Sequence, residues 1–502
     1  MTMPVVFRTD ASSDLGMGHF SRCMSLAHAV MNLGASPCFI MRAPGTALRE
    51  RLETAGIGCH EIEEDVEPGS EDDARATLAF LKEMAEPCLL LVDHYAISRS
   101  WELLVRPWVQ KIAIIDDLAD RAHDCDLLVD QNRLFDGVEA YAELVPPSAQ
   151  LLVGPRYALL RQEFAEWRSV PRRRNGKLRR LLVAFGGSDP AGHTLAVLRA
   201  LEPRLNDLDC VDVLVGPLNG KIDELIRFQA GRGAVRLHVG ATNIAELLHG
   251  ADLAIGGGGT MSWERLCLGV PSLVFGIVPN QVDNVRDLVR SGVAVGTPAM
   301  FEPDIAAISR WLDVLWDAPE LVRGMSERGA GIVDGLGAAR VASRLLCREL
   351  TFRPAVAADS MLVHGWRNHP EIREVSGNKA PITLEEHERW FARSLADASR
   401  MIMIAELGGL PVGVVRFDLA GSEATISIFK NPEEARSFDL VGQATDWLFG
   451  HRSDISTIRA VVLAHNRRSA RAFERAGYRL QESLYIAERI REGNRGKPDD
   501  RI

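Results

Sequence analysis

The sequence predicts an α/β chain: two doubly wound parallel-sheet domains followed by a smaller α+β domain. Three observations carry this. Short apolar β runs alternate with amphipathic helical stretches over residues 1–165, and again over 175–345. Glycine-rich turns stand at the ends of several of those runs, where open parallel sheets bind ligands. From residue 350 the pattern changes to longer alternating runs joined at Gly408-Gly409, the signature of an antiparallel hairpin. At 502 residues the chain is long enough for three domains of ~100–200 residues each.

In the first domain, Met3–Phe7 reads as a strand, Gly16 and Gly18 as a tight turn, and Ser21–Leu33 as a helix. His19 falls in the first turn of that helix. The positive helix end favours its neutral, basic form and suits an anion nearby. Further strands are predicted at Pro37–Met41, Cys88–Val92, Lys111–Ile115 and Asp126–Val129, with a helix at Thr46–Ala55. Their carboxyl ends carry Asp10, Ser12 and Ser13; Asp93-His94-Tyr95; Asp116-Asp117; and Asp130-Gln131-Asn132. Four polar clusters at four strand ends exceed what loop polarity requires, although any one alone reads as a solvated turn.

The basic run Arg172-Arg173-Arg174, within Pro171–Leu178, reads as an exposed linker. Beyond it, strands are predicted at Arg180–Phe185, Asp212–Val215, Val235–Val239, Leu253–Ile255 and Ser272–Phe275. Two glycine loops follow strands: Gly186-Gly187-Ser188 and Gly256-Gly257-Gly258-Gly259-Thr260. Four consecutive glycines are expected to leave N–H groups bare for a phosphate. Glu264, one turn further on, is placed to accept hydrogen bonds from ribose hydroxyls, or simply complements the helix dipole. Neither loop is a Walker A, and neither is a G-x-G-x-x-G with an acid about twenty residues on. Two facing α/β domains with such loops imply a cleft for a nucleotide diphosphate sugar.

Composition narrows the class. Apolar residues make up 46% and charged residues 25%, and the net charge is −10. No basic stripe stands out, which disfavours nucleic acid as a partner. The 8 cysteines form no C-x-x-C pair, so zinc ribbons and redox motifs are not expected, and five of them sit in apolar contexts. The N-terminus lacks a basic-then-apolar signal and no apolar run approaches 18 residues, so no integral membrane segment is expected and the cytoplasm is the default.

Across residues 1–345, R-T-D-A-S-S…G-M-G-H-F-S-R-C, V-D-H-Y, I-D-D-L-A-D-R-A-H, L-V-G-P-R-Y-A-L-L-R-Q-E-F, A-F-G-G-S-D-P and G-G-G-G-T-M-S-W-E resemble the UDP-2,4-diacetamido-2,4,6-trideoxy-β-L-altropyranose hydrolases of the pseudaminic acid pathway. The resemblance implies two Rossmann-like domains in a glycosyltransferase-B arrangement. It implies hydrolysis of the bond between the anomeric carbon and the UDP oxygen, with inversion, and with no metal or cofactor. The family's catalytic histidine falls on His19 and its functional tyrosine on Tyr95. Asp10 or Asp14 could orient His19 or raise its basicity, and Asp14 is counted with His19 and Tyr95 among the catalytic candidates. The candidate substrate contacts are Arg8, Asp10, Gly16, Gly18 and Arg22 in the first domain. In the second they are Gly186, Gly187, Ser188, Gly257, Gly258, Gly259, Thr260, Glu264, Asn280 and Gln281. A divalent ion at Asp116-Asp117 is the lesser reading. The alternative function is a glycosyltransferase of the same fold, which needs an acceptor groove; a nucleotide-sugar scaffold is the non-enzymatic one.

In residues 350–485, strands are predicted at Phe352–Val356, Met401–Leu407, Pro411–Asp418, Glu423–Phe429 and Thr457–Leu463, with helices around Leu384–Leu395 and Ser437–Phe449. W-R-N-H-P-E-I-R, E-E-H-E-R-W-F and N-x-x-S-x-x-x-F-x-x-x-G-Y resemble the GCN5-related N-acetyltransferases. That resemblance implies acetyl-CoA as cosubstrate beside Asn466, Ser469, Phe473 and Tyr478. Its early part is similar to the acetyltransferase that acetylates the 4-amino group of the UDP-sugar, whose product the hydrolase consumes. The chain departs from the family in two places. The pyrophosphate loop [QR]-x-x-G-x-[GA] is replaced by K-N-P-E-E-A-R-S-F-D-L-V-G, and Phe473 stands where many members carry a proton-donating tyrosine. The charged tail 486–502 reads as disordered.

Overall fold

The computed structural model describes residues 3–11, 17–84, 86–135, 137–216, 219–347, 349–407, 409–434 and 438–481. Asp14, Gly16 and the tail 486–502 lie outside them.

The first sheet is parallel throughout, in the order β3-β2-β1-β4-β5-β6-β7. Its strands are β1 Pro4–Thr9, β2 Ser36–Arg42, β3 Gly58–Ile62, β4 Cys88–Asp93, β5 Val109–Ile115, β6 Leu127–Asp130 and β7 Gln150–Val153. β1 and β4 are central and almost wholly buried, as a parallel sheet covered on both faces requires. The first helix, Gly18–Asn32, buries Phe20, Cys23, Met24, Ala27 and Val30 against this sheet, a spacing of three and four residues that keeps them on one face.

The second sheet, also parallel, has the order β10-β9-β8-β11-β12-β13. It comprises β8 Arg180–Ala184, β9 Cys210–Val215, β10 Val235–Val239, β11 Leu253–Gly257, β12 Ser272–Phe275 and β13 Ala294–Thr297. The chain then returns: the helix Gly337–Leu345 packs Ala338, Val341, Ala342 and Leu345 into the core of the first domain, beside Gly18–Asn32. This helix, in the stretch expected to belong to the second domain, thus packs on the first.

The third sheet runs β14-β15-β16-β17-β18, with β14 Thr351–Pro354, β15 Arg400–Leu407, β16 Leu410–Ala420, β17 Glu423–Lys430 and β18 Thr457–Ala460. It is antiparallel except for its last pair, since β17 and β18 are parallel. The helices Ser360–Asn368 and Leu384–Ala396 cover one face of this sheet through Val363, Trp366 and Phe391. The helices Leu440–His451 and Arg467–Arg475 cover the other through Leu440, Val441, Ala444 and Phe473. Asp446 joins this domain to the body, where it takes Arg340 at 2.9 and 3.2 Å and Arg156 at 3.1 Å.

The expected exposed linker behaves differently. Arg174 is buried, and its guanidinium donates to the carbonyls of Ala251, Leu268, Gly269 and His249 at 2.9–3.2 Å. Two helix C-terminal ends lacked donors there, and a buried arginine supplies them. Five cysteines are buried, as their apolar contexts suggested, and all eight are free thiols. Among the described residues no helix is long and apolar enough to cross a membrane.

Candidate active sites

The N-terminus of the helix Gly18–Asn32 meets both glycine loops of the second domain. A Cβ on Gly18 would lie 3.8 Å from Thr260 Oγ1, and one on Gly187 would lie 3.6 Å from Met17 Cγ. His19 stands at that junction, 6% exposed. Its Nδ1 lies 2.5 Å from Asp93 Oδ1, at the carboxyl end of β4. A carboxylate can only accept, so Nδ1 carries the proton and Nε2 is left as the basic nitrogen.

Asp93 is fully buried and does more than hold the imidazole. Arg22, one turn after His19, grips it with Nε and Nη2 at 2.6 Å each, and Cys23 Sγ lies 3.5 Å away. The Arg22 guanidinium and His19 hold this carboxyl far below the usual carboxylate range against the opposing effect of burial. Arg22 also reaches Asp117 Oδ2 at 2.9 Å. Asp117 accepts from the Tyr95 hydroxyl at 2.9 Å and from Asn132 Nδ2 at 2.9 Å. Tyr95 sets its ring edge-on to His19, centroids 4.5 Å apart, and accepts from Asn280 Nδ2 of the second domain at 3.3 Å. Burial and Asp117 keep its phenol protonated. Trp263 Nε1 closes the same domain junction by donating to Asn132 Oδ1 at 2.8 Å.

Several expectations need correction. Asp10 does not orient His19. Its carboxylate accepts from Arg8 Nη1 and Arg42 N at 2.7 Å, with His94 Nε2 at 3.3 Å. Arg8 is wholly buried, and its guanidinium pairs with Asp10 and Asp73. Arg22 likewise spends its guanidinium on Asp93 and Asp117. Asp14 and Gly16, outside the described residues, cannot be placed here, but Nδ1 of His19 is already taken by Asp93.

The glycine loop is only partly bare. Gly256 and Gly257 belong to β11. The Gly258 N–H bonds to Phe275 O and to Gln281 Oε1, both at 3.0 Å. A Cβ at Gly256 would sit 2.0 Å from Ala184 O, and one at Gly258 would sit 2.2 Å from Val285 Cγ2. Packing therefore demands two of the four glycines. Gln281 braces the loop, while Gly259 and Thr260 lead into the helix Met261–Cys267. Glu264 on that helix has a buried Oε2 with no partner among the described residues, and burial raises its pKa. Gly186, at φ +86°, and Ser188 form the facing turn. Asp189 ends it by capping the helix His193–Leu201 through the N–H groups of Gly192, His193 and Thr194.

In the third domain, β18 pairs with β17 only over Glu423–Ile426, so β17 runs on to Lys430 with that edge open. The opening adjoins a cavity of about 2140 Å³ between this domain and the body. Asn466 accepts from Ser469 N at 3.0 Å and so caps the helix beside the opening. Tyr478 spends its hydroxyl on Thr445 Oγ1 at 2.8 Å and packs edge-on against Phe473, which is core. Burial pushes the Tyr478 phenol up to about 12. At the N-terminus of the helix Leu440–His451, where a pyrophosphate was expected, the Asp439 carboxylate itself accepts from Gly442 N at 2.8 Å. The opening beside β17 suits a strand-like pantetheine arm. The helix end does not suit a pyrophosphate, because a carboxylate already occupies it.

Comparison with known proteins bears on both halves. Residues 349–479 match the family model described as an acetyltransferase (GNAT) domain. They form a GNAT domain. The chain is 26% identical over 295 residues to the UDP-2,4-diacetamido-2,4,6-trideoxy-beta-L-altropyranose hydrolase of Campylobacter jejuni, covering 58% of this chain and 98% of that enzyme. The two-domain body is homologous to that hydrolase. An uncharacterized protein of Methanocaldococcus jannaschii is 22% identical over 501 residues, covering 95% of this chain and 97% of its own length. UGT2 of Phytolacca americana, solved with UDP-2fluoro-glucose and pterostilbene, superimposes with a TM-score of 0.50 at 13% identity, over 69% of this chain and 99% of its own. That likeness shows the fold: the first two domains have the glycosyltransferase-B architecture.

Asp93, Asp117, Asn132, Trp263 and Asp189 were not among the sequence-derived site residues. Asp93, Asp117 and Asn132 do fall in the polar clusters at strand ends, which is the signal that could have found them.

Proposed function

We propose that the two-domain body hydrolyses a UDP-linked 2,4-diacetamido-2,4,6-trideoxy sugar to free sugar and UDP, and that the GNAT domain acetylates the 4-amino precursor from acetyl-CoA. The observation that carries the hydrolytic reading is the Asp93–His19 pair at the helix end facing both glycine loops. His19 Nε2 removes a proton from water as the water oxygen attacks the anomeric carbon, and the bond from that carbon to the UDP oxygen breaks. The configuration inverts, and the electron pair leaves on the diphosphate. General-base assistance of this kind contributes typically ~10²–10⁴-fold. UDP is a good leaving group, so no strong acid is needed. The N–H groups of Gly259 and Thr260 and the helix behind them stabilise the charge that develops on it. Glu264 Oε2, buried and unpartnered, accepts from the ribose hydroxyls.

The match to the GNAT family model and the open edge of β17 support acetyl-CoA as cosubstrate of the third domain. Bound there, it would supply a thioester: the amine nitrogen bonds the acetyl carbon, the carbon–sulfur bond breaks, the amine gives up a proton to solvent and the thiolate takes one from it. The candidate contacts are Asn466 and Ser469; Phe473 has no proton to give the thiolate.

The test is a proton NMR time course in ¹⁸O-water, with mass analysis of both products. Free diacetamido sugar carrying the label, with unlabelled UDP and no acceptor present, is the expected result. Label in UDP would place the break at phosphorus and remove His19 from the proposed step. UDP release that depends on an added acceptor hydroxyl would select the glycosyltransferase of the same fold. Supplying the 4-amino sugar nucleotide with acetyl-CoA tests the second step, with coenzyme A formed before UDP as the expected order.

A further inference from the structure

A run of hydrogen bonds crosses between the two body domains and ends on the candidate base. It starts at Trp263, on the helix Met261–Cys267 of the second domain, next to Glu264, the candidate ribose contact. The indole is wholly buried, and a buried N–H needs an acceptor. The acceptor comes from the other domain: Trp263 Nε1 donates to Asn132 Oδ1 at 2.8 Å. Asn132 follows β6, and its backbone N–H is fixed on Asp130 Oδ1 at 2.8 Å. Its side-chain Nδ2 donates to Asp117 Oδ2 at 2.9 Å. Both neighbours demand the same orientation of this amide. Turned over, it would set N–H against the indole N–H and C=O against the carboxylate.

Asp117 is where the run meets the base. Its Oδ2 also accepts from Arg22 Nη1 at 2.9 Å, and Arg22 grips Asp93 with Nε and Nη2 at 2.6 Å each. Asp93 in turn takes His19 Nδ1 at 2.5 Å. The second domain reaches Asp117 by another arm as well. Asn280 Nδ2 donates to the Tyr95 hydroxyl at 3.3 Å, and that hydroxyl donates to Asp117 Oδ1 at 2.9 Å. Asn280 adjoins Gln281, whose Oε1 accepts from Gly258 N of the glycine loop at 3.0 Å. Both arms therefore start one residue from an element of the nucleotide loop, and both end on one carboxylate. The Asp117 side chain is only 10% exposed, so its hydrogen bonds act in a low dielectric. A guanidinium held at both ends by carboxylates has little freedom to turn, and it fixes where Asp93 points.

We infer that Trp263 is a positioning residue for the hydrolysis: through Asn132, Asp117 and Arg22 it holds the Asp93–His19 pair in register with the nucleotide bound by the neighbouring Glu264 and glycine loop. The inference rests on the hydrolytic reading above. It makes the second domain more than a holder of UDP, because alignment of the base on the first domain depends on a side chain of the second.

Steady-state UDP release from the sugar nucleotide, with calorimetry of UDP binding, tests this on the full chain. Trp263→Phe removes the indole N–H and keeps an aromatic ring in the core. It is expected to lower kcat on the order of tenfold, with KM and UDP affinity within about twofold of wild type. Asn132→Ala cuts the same run outside the core and should lower kcat at least as much, its retained UDP affinity showing that the fold persists. Two pairings give a readout that a merely structural Trp263 would not move. Added to Asn132→Ala, Trp263→Phe slows turnover no further; added to His19→Ala, it leaves the residual rate unchanged. An unchanged kcat in either single variant, weakened UDP binding at unchanged kcat, or penalties that multiply in the His19→Ala background each overturn the inference and leave the hydrolytic reading standing. A wild-type chain that releases no UDP overturns both.

Discussion

Replacing Asp93 by asparagine separates catalysis from architecture at this site. Asp93 is fully buried and engages three polar groups through two oxygens: His19 at 2.5 Å and Arg22 twice at 2.6 Å. An amide keeps the volume but removes the charge, and it can present an N–H where His19 or Arg22 needs an acceptor. Removing one partner of a buried ion pair costs about 3–5 kcal/mol. Arg22 retains Asp117 at 2.9 Å, so the lower end, about 3 kcal/mol, is expected for stability. For turnover, the imidazole loses the acceptor that fixes its tautomer, and the rate should fall by ~10²–10⁴-fold, or about 2.7–5.4 kcal/mol of barrier. The assay is UDP release at saturating substrate for the wild type, Asp93→Asn, His19→Ala and the double variant, with urea denaturation in parallel. If Asp93 acts through His19, the double variant is no slower than His19→Ala alone. Multiplying penalties, or an Asp93→Asn enzyme within threefold of wild type, would refute the dyad. Asp10→Asn serves as the contrast: its carboxylate binds Arg8 and the Arg42 backbone, so it should lose stability without slowing turnover.

Three further outcomes follow from the same structure. Glu264→Gln should weaken UDP binding by roughly 5–30-fold, measured by calorimetry, because a ribose hydroxyl loses a charged acceptor worth about 1–2 kcal/mol. Arg174→Met leaves four carbonyls without their donor and should lower the unfolding free energy of the second domain by about 3 kcal/mol in urea, with UDP release unchanged at low denaturant. Asp130 is fully buried, and burial raises its carboxyl from 3.8 to about 6. A raised acid stabilises the fold below its unfolded pKa and loses that contribution as pH rises through the folded one. Asp130→Asn should therefore gain about 2 kcal/mol on the wild type between pH 4.5 and pH 7.5, and a pH-independent difference would refute the shift.

The strands that the sequence makes plain are the ones buried on both faces. β1, β4 and β12 are near-continuous apolar runs, and their positions were legible to within two residues. The strands it did not reveal are β3, β7 and β13, each at the edge of its sheet. G-C-H-E-I buries only Ile62 and Q-L-L-V only Leu152, so neither alternates strongly enough to stand out from a loop. A-V-G-T needs its glycine because a Cβ on Gly296 would lie 1.8 Å from Val274 O. The sites divide in the same way. His19 and Glu264 were singled out from their places at helix ends, and Tyr95 from the resemblance. Their partners were not, because 74 residues separate His19 from Asp93 and only sheet order brings β1 and β4 side by side. Local spacing pointed to Asp10 or Asp14 as the acid, and the parallel pairing of β1 with β4 supplied Asp93 instead. The basic run at 172–174 misled for the opposite reason: charge in sequence reads as solvated surface, and nothing local announces two helix ends in need of a donor.

Arg340 stands at the joint between the body and the third domain. Arg340 lies on the returning helix Gly337–Leu345 and binds Asp334 and Asp446 at once. That helix packs directly on Gly18–Asn32, whose first turn carries His19. Asp446 lies on the helix Leu440–His451, whose N-terminus Asp439 closes. Arg340 therefore connects the helix packed against Gly18–Asn32 with a helix that flanks the third-domain cavity. Ion pairs this well satisfied, with Arg340 only 13% exposed, fix orientation more than they add stability. The cavity also opens toward the body, with His28 and Ala29 of the helix Gly18–Asn32 in its lining. His19 and His28 are nine positions apart on that helix, about 13.5 Å at 1.5 Å per residue. The helix whose first turn carries His19 thus forms, further along, part of the wall of the third-domain cavity.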